Sequence, residues 1–210
     1  MKKILSILAL AASVTLGYSQ GTVNFSISSA GYLVSTNATL IGGGIGKTSL
    51  TPNSYYYALL TQTYTGAASS TISAQPLTGW TFSGAYATNN SGLFAGGING
   101  GTQAIAGWAP GTIEYVEVVG WSANLGSTWA QIASQLANDN WIAQGFEGNS
   151  AVGYVTSGGA GVPATLPGSI FSQTGGVPGS FQLISTVPEP TTVALIGLGG
   201  LGLAMIRRRK

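Results

Sequence analysis

Cysteine and histidine are both absent from this chain of 210 residues. Without cysteine, disulfides and thiol catalysis are excluded. Without histidine, the chain lacks the commonest general base, the base of the usual catalytic triad and the commonest transition-metal ligand. Zinc and copper sites of the usual kinds therefore cannot be built, and we expect neither a metal nor a cofactor.

Charged residues are also scarce, at 6% of the chain, and most of the basic ones lie at its two ends. Residues 20–186 contain one lysine and four carboxylates, which gives this segment a formal net charge of −3. The whole chain carries a net charge of +2. The basic excess therefore belongs to the ends and does not indicate nucleic-acid binding. We expect solvated or edge-protecting charges at the four carboxylates, Glu114, Glu117, Asp139 and Glu147.

Residues 1–19 have the organisation of a secretory signal peptide. Lys2 and Lys3 form a basic region, and an apolar stretch of about 13 residues follows at 4–16, typical of such signals. Small residues precede the boundary, so signal peptidase is expected to cut between Ser19 and Gln20. A cut after Gln20 and a retained N-terminal anchor are the alternatives.

The last 24 residues combine a short polar motif, an uncharged stretch and a basic end. The uncharged stretch, residues 191–206, has 16 residues, close to the lower limit of about 17 for a transmembrane helix, and flanking side chains can extend it. Basic residues after a span stay in the cytoplasm, which places the body of the chain outside the inner membrane. The motif is Val187, Pro188, Glu189 and Pro190, and the basic end is Arg207, Arg208, Arg209 and Lys210.

This order of V-P-E-P, apolar stretch and R-R-R-K at the end of the chain resembles the PEP-CTERM sorting signal. Exosortases recognise that signal on exported proteins of Gram-negative bacteria that produce polysaccharide. The resemblance implies transient anchoring in the inner membrane, a cut at or near residues 187–190, and release to the cell surface or extracellular matrix. An anchor that is never cut is the alternative. The resemblance implies nothing about the activity of residues 20–186.

Residues 20–186 are predicted to form one mainly β domain, because Gly, Ser, Thr, Asn and aromatic residues alternate with frequent turn signals. A short helix is expected where Trp129, Ile132, Ala133 and Leu136 recur at helical spacing, with Ser127 or Thr128 as its cap. A loop is expected at 158–179. The predicted strands are residues 22–28, 54–63, 80–86, 111–122, 151–156 and 180–186.

Many short strands and one helix favour an antiparallel β-sandwich, jelly-roll-like in arrangement. Within it, residues 111–122 are predicted to form a central strand with both faces covered. A β-helix is the alternative, although no fixed repeat supports it.

Two glycine-rich sequences resemble nucleotide-binding motifs but do not meet their requirements. Ile41 occupies the position at which the P-loop pattern needs glycine. The G-L-G-G-L-G sequence at 197–202 lies inside the expected membrane segment, with no preceding strand. Neither indicates a nucleotide site.

Paired carboxylates remain the one enzymatic alternative, as in a glycoside hydrolase. Glu114 and Glu117 are three residues apart on a predicted strand, so their side chains point to opposite faces. Such a site would need Asp139 or Glu147 to join one of them in space. We therefore expect a non-enzymatic surface or matrix protein.

Aromatic residues support a second alternative, a lectin or adhesin that binds exopolysaccharide. Rings stack on sugars, although most large aromatic side chains fill cores, where we expect Trp121 and Trp129. Trp108 precedes a Pro-Gly turn and is expected to be exposed, and Tyr56 lies within a run of three tyrosines. Trp108 and Tyr56 are the two candidate ligand contacts.

Overall fold

The computed structural model describes residues 20–27, 30–89, 94–159 and 164–186. The expected signal peptide up to Ser19 and the sorting tail from Val187 onward lie outside the described residues. In the part that is described, no helix combines the length and the apolar character needed to cross a bilayer.

The described residues form a mainly β structure with one α-helix, as expected. The helix, α1, spans Trp129–Asn138, and short 3₁₀ turns occupy Ala30–Tyr32, Thr39–Ile41, Ser69–Thr71 and Ala123–Leu125. The strands are β1 (Thr22–Ser26), β2 (Ser35–Asn37), β3 (Ile45–Lys47), β4 (Tyr55–Thr63), β5 (Thr81–Asn89), β6 (Ile98–Ala104), β7 (Ile113–Ser122), β8 (Gly145–Asn149), β9 (Gly153–Thr156), β10 (Gly168–Ser169) and β11 (Gln182–Thr186).

All six predicted strands are present, as β1, β4, β5, β7, β9 and β11, with ends that differ by a few residues. The sequence does not predict β2, β3, β6, β8 or β10. Of these, β6 (I-N-G-G-T-Q-A) lacks apolar alternation, and β10 is a two-residue strand inside the predicted loop. Both β6 and β10 pair with β1, which is distant in sequence, and local patterns do not record such a pairing.

The strands form one continuous sheet in the order β10-β1-β6-β5-β4-β7-β8-β11-β2-β3, with β9 paired to β7. Most neighbours are antiparallel, whereas β1–β10 and β2–β11 are parallel. These pairings join the strands in one sheet and therefore do not confirm the predicted sandwich of two antiparallel sheets. The reason lies in β7, whose two edges connect both halves of the sheet.

The central pair of the sheet is β4 and β7. Nine residues of each strand pair in unbroken antiparallel register, from Tyr55 opposite Ser122 to Thr63 opposite Glu114. The other edge of β7 is divided, since residues 113–116 pair with β9 and residues 119–121 pair with β8. The sheet therefore forks at β7 into two arms.

One arm curls back toward the fork. An isolated bridge between Thr22 and Gly158 joins β1 to the chain just beyond β9. Because β1, β6, β5, β4 and β7 are successive neighbours, this bridge closes a ring of strands that returns to β7.

The main core fills the inside of the curled sheet. Tyr57 and Leu59 of β4 and Val116 and Val118 of β7 alternate toward it and are completely buried. Phe181 meets Tyr57 edge-on, with 6.4 Å between the ring centroids. Both arms add further buried apolar side chains: Val23, Phe25, Ile98 and Leu183.

A second apolar cluster lies on the other face of the β4–β7 pair, where α1 packs. Trp121 is completely buried there against Ile132 of the helix, which confirms its expected core position. The helix begins in a capping box at Thr128, and the Gln131 side chain accepts the Thr128 N–H at 3.1 Å. The Trp129 N–H donates to the Tyr86 hydroxyl at 2.7 Å, which ties the start of the helix to β5. Both faces of β7 are thus covered, as predicted.

Leu59→Ala is expected to lower the free energy of unfolding by about 2–5 kcal/mol, because the smaller side chain leaves a cavity at the centre of the β4–β7 pair. Leu166→Ala is the matched control, since Leu166 is 90% exposed, and it should change stability by less than about 0.5 kcal/mol. Urea unfolding of residues 20–186, followed by tryptophan fluorescence, measures both. Equal effects would contradict the central role given to Leu59.

Candidate functional site

Two clefts in the surface of the domain are lined by side chains able to bind a ligand. The Trp108 cleft has a volume of about 410 Å³ and is lined by Thr61, Gln62, Thr63, Thr65, Gly79, Thr81, Trp108 and Glu114. The Trp141 cleft has a volume of about 490 Å³ and is lined by Leu40, Trp141, Glu147, Gly148, Asn149, Gln182, Ile184, Ser185 and Thr186.

The Trp108 cleft lies where the β4–β7 pair ends. Thr63 of β4 is paired with Glu114 of β7, and Thr61 of β4 is paired with Thr81 of β5. Paired residues of neighbouring strands share a face, so hydroxyl groups and one carboxylate line a common wall. Gln62 adds an amide whose Oε1 is buried and has no hydrogen-bond partner among the described residues. The wall therefore offers mostly uncharged donors and acceptors.

A turn holds Trp108 at the side of this cleft. The backbone N–H of Trp108 donates to the carbonyl oxygen of Ile105 at 3.2 Å, and the carbonyl oxygen of Trp108 accepts the backbone N–H of Gly21 at 2.7 Å. Trp108 is half-buried, because it packs against the main core as well as lining the cleft. The expectation of an exposed Trp108 is therefore met only in part, since the turn fixes the residue against the core.

Tyr56, the second candidate ligand contact, does not line the Trp108 cleft. It is half-buried on the opposite face of β4, where it packs against the second apolar cluster and stacks on Trp121 with 6.3 Å between ring centroids. The alternation of side chains along β4 separates it from the main core, on which Trp108 packs. The two candidate ligand contacts therefore do not form one site.

The Trp141 cleft lies between β11 and the connection from α1 to β8. Ile184 of β11 is paired with Glu147 of β8. At the end of β11, the Thr186 Oγ1 accepts the Gly145 N–H at 3.0 Å and donates to the Ala143 carbonyl oxygen at 3.4 Å. The sequence does not predict this cleft, because it does not predict β8, which supplies one wall.

Glu117 is a completely buried carboxyl group on β7. The Asn149 Nδ2 donates to its Oε1 at 2.5 Å and to the Ala74 carbonyl oxygen at 2.6 Å. The Oε2 of Glu117 has no hydrogen-bond partner within the described ranges. The expectation of a solvated charge is therefore wrong for Glu117, because both faces of β7 are covered at its middle.

Burial raises the pKa of Glu117 from 4.5 to about 7; the hydrogen bond from Asn149 opposes this shift and the nearby Glu147 adds to it. Burial likewise raises the pKa of Glu147 to about 7. In the Trp108 cleft, burial raises the pKa of Glu114, against the opposing hydrogen bond from the Tyr64 N–H at 3.2 Å. Glu117 and Glu147 therefore change their protonation near neutral pH.

The four carboxylates of the domain lie in different places, although Glu117 is close enough to Glu147 for that charge to raise its pKa. Glu114 lines the Trp108 cleft, Glu147 lines the Trp141 cleft and Glu117 is sealed inside the domain. Asp139 is exposed at the end of α1, where it adopts a left-handed φ of 47°. Glu114 and Glu117 face opposite sides of β7, as predicted, and each of the two clefts holds one carboxylate.

Comparison with known families identifies the C-terminal tail. Residues 186–210 match the PEP-CTERM protein-sorting motif, which confirms the resemblance seen in the sequence. No curated protein and no solved structure matches the chain. The matched segment begins at Thr186, the last residue of β11, and includes no residue of the Trp108 cleft.

Stability is expected to fall as pH rises from about 4.5 to 7. The folded-state pKa of Glu117 lies above its ordinary value, so the folded protein binds this proton more tightly than the unfolded chain does. The contribution is fully present below pH 4.5 and is lost as pH rises through 7, a change on the order of 3 kcal/mol. Glu117→Gln should flatten this dependence, leaving the share that belongs to Glu147.

Urea unfolding of residues 20–186 at a series of pH values measures this effect. Asp139→Asn is the control, because it removes an exposed carboxylate and should keep the wild-type profile. An unchanged pH profile in Glu117→Gln would show that Glu117 does not hold its proton in the folded state.

Proposed function

Because the chain carries a PEP-CTERM protein-sorting motif at residues 186–210, we propose that it is a non-enzymatic protein of the cell surface or extracellular matrix. PEP-CTERM signals are processed by exosortase and direct proteins to the cell envelope or surface. The finer steps of this route belong to the proposal. Signal peptidase cuts between Ser19 and Gln20, residues 191–206 anchor the chain transiently in the inner membrane, and exosortase then removes the tail.

The observation that carries this proposal is the position of the motif relative to the fold. β11 lies inside the sheet between β8 and β2, and its last residue, Thr186, is paired with Gly145. A cut within residues 187–190 therefore removes no strand pairing of the described domain. The domain can remain folded after the tail is discarded.

The distribution of carboxylates supports a non-enzymatic role. A glycoside hydrolase needs two carboxyl groups that flank one bond. The two clefts each hold a single carboxylate, and the buried Glu117 is sealed from solvent.

Replacing Pro188, Glu189 and Pro190 by alanine is expected to block processing, since exosortase would no longer find its motif. An unprocessed species, heavier by the mass of the tail, should accumulate in the membrane fraction. Intact mass and fractionation of the protein from its native host measure this. Pro178→Ala is the matched control, because it alters a Val-Pro sequence inside the domain and should leave processing normal. Normal processing of the triple variant would refute the assignment of the signal.

A second function, binding of exopolysaccharide, is favoured by the Trp108 cleft. One aromatic side chain stands beside four threonine hydroxyls, a glutamine amide and a carboxylate in this cleft. Sugars offer apolar ring faces and many hydroxyl groups, so an aromatic ring with neutral polar neighbours suits them. The released domain would then be a lectin or adhesin of the polysaccharide matrix.

Trp108→Ala is expected to abolish retention of the domain on insoluble polysaccharide, while Trp108→Phe keeps part of it because a ring remains available for stacking. Pull-down on a panel of insoluble glycans, including polysaccharide from the host, measures retention. Tyr56→Phe is the control, since Tyr56 lies on the opposite face of β4 and should bind as the wild type does. Binding that survives Trp108→Ala, or no binding to any glycan, would exclude this site.

A further inference from the structure

Exposed apolar side chains are unevenly distributed over the domain. Half of the ten large exposed ones among the described residues belong to the β2–β3 hairpin, the connection from α1 to β8, and β11. Leu40 and Ile142 are the most exposed of these, at 69% and 70%. Leu40 and Ile184 line the Trp141 cleft together with the half-buried Trp141. We name these three and their exposed apolar neighbours the exit rim: Leu40, Ile41, Ile45, Trp141, Ile142 and Ile184.

Backbone pairing places the exit rim around the end of β11. Ile184 of β11 pairs with Asn37 of β2, which pairs in turn with Ile45 of β3, so the two isoleucines lie two strand spacings apart, about 10 Å. Leu40 and Trp141 line the same cleft as Thr186. The rim therefore surrounds the point from which the sorting tail leaves the domain.

The apolar side chains of the rim are held by an ordered backbone. In the β2–β3 connection, the Ala38 N–H donates to the Gly44 carbonyl oxygen at 3.0 Å, and the Gly43 N–H donates to the Ala38 carbonyl oxygen at 2.9 Å. On the other side, the Ile142 N–H donates to the Gln135 Oε1 at 3.2 Å. The backbone polar groups are thus bonded within the domain while Leu40 and Ile142 face water.

Chain length limits how far the rim can lie from the membrane. Five peptide steps separate Thr186 from Thr191, where the uncharged stretch begins, and they reach at most about 18 Å when fully extended. The headgroup layer on each side of the hydrocarbon core takes up about 5–8 Å of that distance. The end of β11 therefore lies within about 13 Å of the lipid surface whenever the tail is inserted.

Charge favours an apolar contact over an electrostatic one. The domain carries a formal net charge of −3, and Lys47 is its one basic side chain, so anionic lipids do not attract it as a whole. Leucine, isoleucine and tryptophan are the side chains that enter the boundary between headgroups and acyl chains. An exposed apolar surface of this kind indicates an interaction site.

We infer that the exit rim binds the lipid surface of the inner membrane while the tail is inserted, seating the domain on the bilayer before it is cut. This inference rests on the proposed anchoring by residues 191–206. It adds a second contact with the membrane, made by the folded domain itself.

The test uses the chain from Gln20 to Lys210 in vesicles of phosphatidylethanolamine and phosphatidylglycerol. The chain has no cysteine, so single cysteines can carry an environment-sensitive fluorophore at chosen positions. Ile142→Cys reports on the rim and Gly199→Cys on the tail. Leu166→Cys is the matched control, an exposed apolar residue in the connection from β9 to β10, outside the rim.

The label at 142 is expected to shift its emission to the blue and to be quenched by lipids that carry a nitroxide near the headgroup. The label at 166 should emit as in water. Adding Leu40→Ser to the Ile142→Cys protein should reduce the quenching, whereas higher salt should not, because the contact is apolar.

Two negative results are distinguishable. If the label at 199 is buried in lipid while the label at 142 emits as in water, the rim does not touch the membrane, and only this inference fails. That result would also be expected if the rim served another protein. If the label at 199 itself emits as in water, the tail does not insert, and the proposed anchoring fails together with the inference.

Discussion

The nine-residue antiparallel pair of β4 and β7 is the constraint on which the rest of the domain depends. Its two faces carry the two apolar clusters, and the second edge of β7 is paired with β8 and β9. Even the glycine in this pair is required, because a Cβ on Gly120 would lie 2.7 Å from the Tyr57 ring. A strand covered on both faces and paired on both edges leaves no position at its middle for a hydrated side chain.

That constraint explains the unusual state of Glu117. The carboxyl group lies within the second face of β7, with one donor, Asn149, for two oxygens. A buried carboxylate without a positive partner is costly, so the group keeps its proton toward neutral pH instead of ionising. Asn149 stands in the wall of the Trp141 cleft while it holds Glu117, so this cleft and the interior share a side chain.

Patterns within a short stretch of sequence predict the strands and the helix that such a stretch specifies by itself. The alternation of Val23, Phe25 and Ile27, the helical spacing after Thr128 and the apolar run in β7 each correspond to an element. Short polar strands such as β6 and β8 exist because distant partners supply hydrogen bonds, and no pattern within them records this. The partner that holds Glu117, Asn149, and one wall of the Trp141 cleft come from β8, so local patterns do not predict them. Trp108 was within reach of sequence reasoning, because the Pro-Gly turn beside it is a local signal.

The sorting motif follows β11 directly in the sequence, so the fold of the domain bears on how the tail is anchored and cut in the proposed route. Thr186 is hydrogen-bonded within the sheet, and the matched tail begins at that same residue, so the proposed cut by exosortase would fall within a short distance of a folded surface. A domain bound tightly to lipid would obstruct the enzyme, whereas one that moved freely would present the motif in many orientations. If the exit rim contacts lipid as inferred, a few apolar side chains around the exit point would orient the domain without holding it tightly. Because the backbone of the rim is bonded within the domain, release from the membrane would expose side chains to water without unpairing a strand.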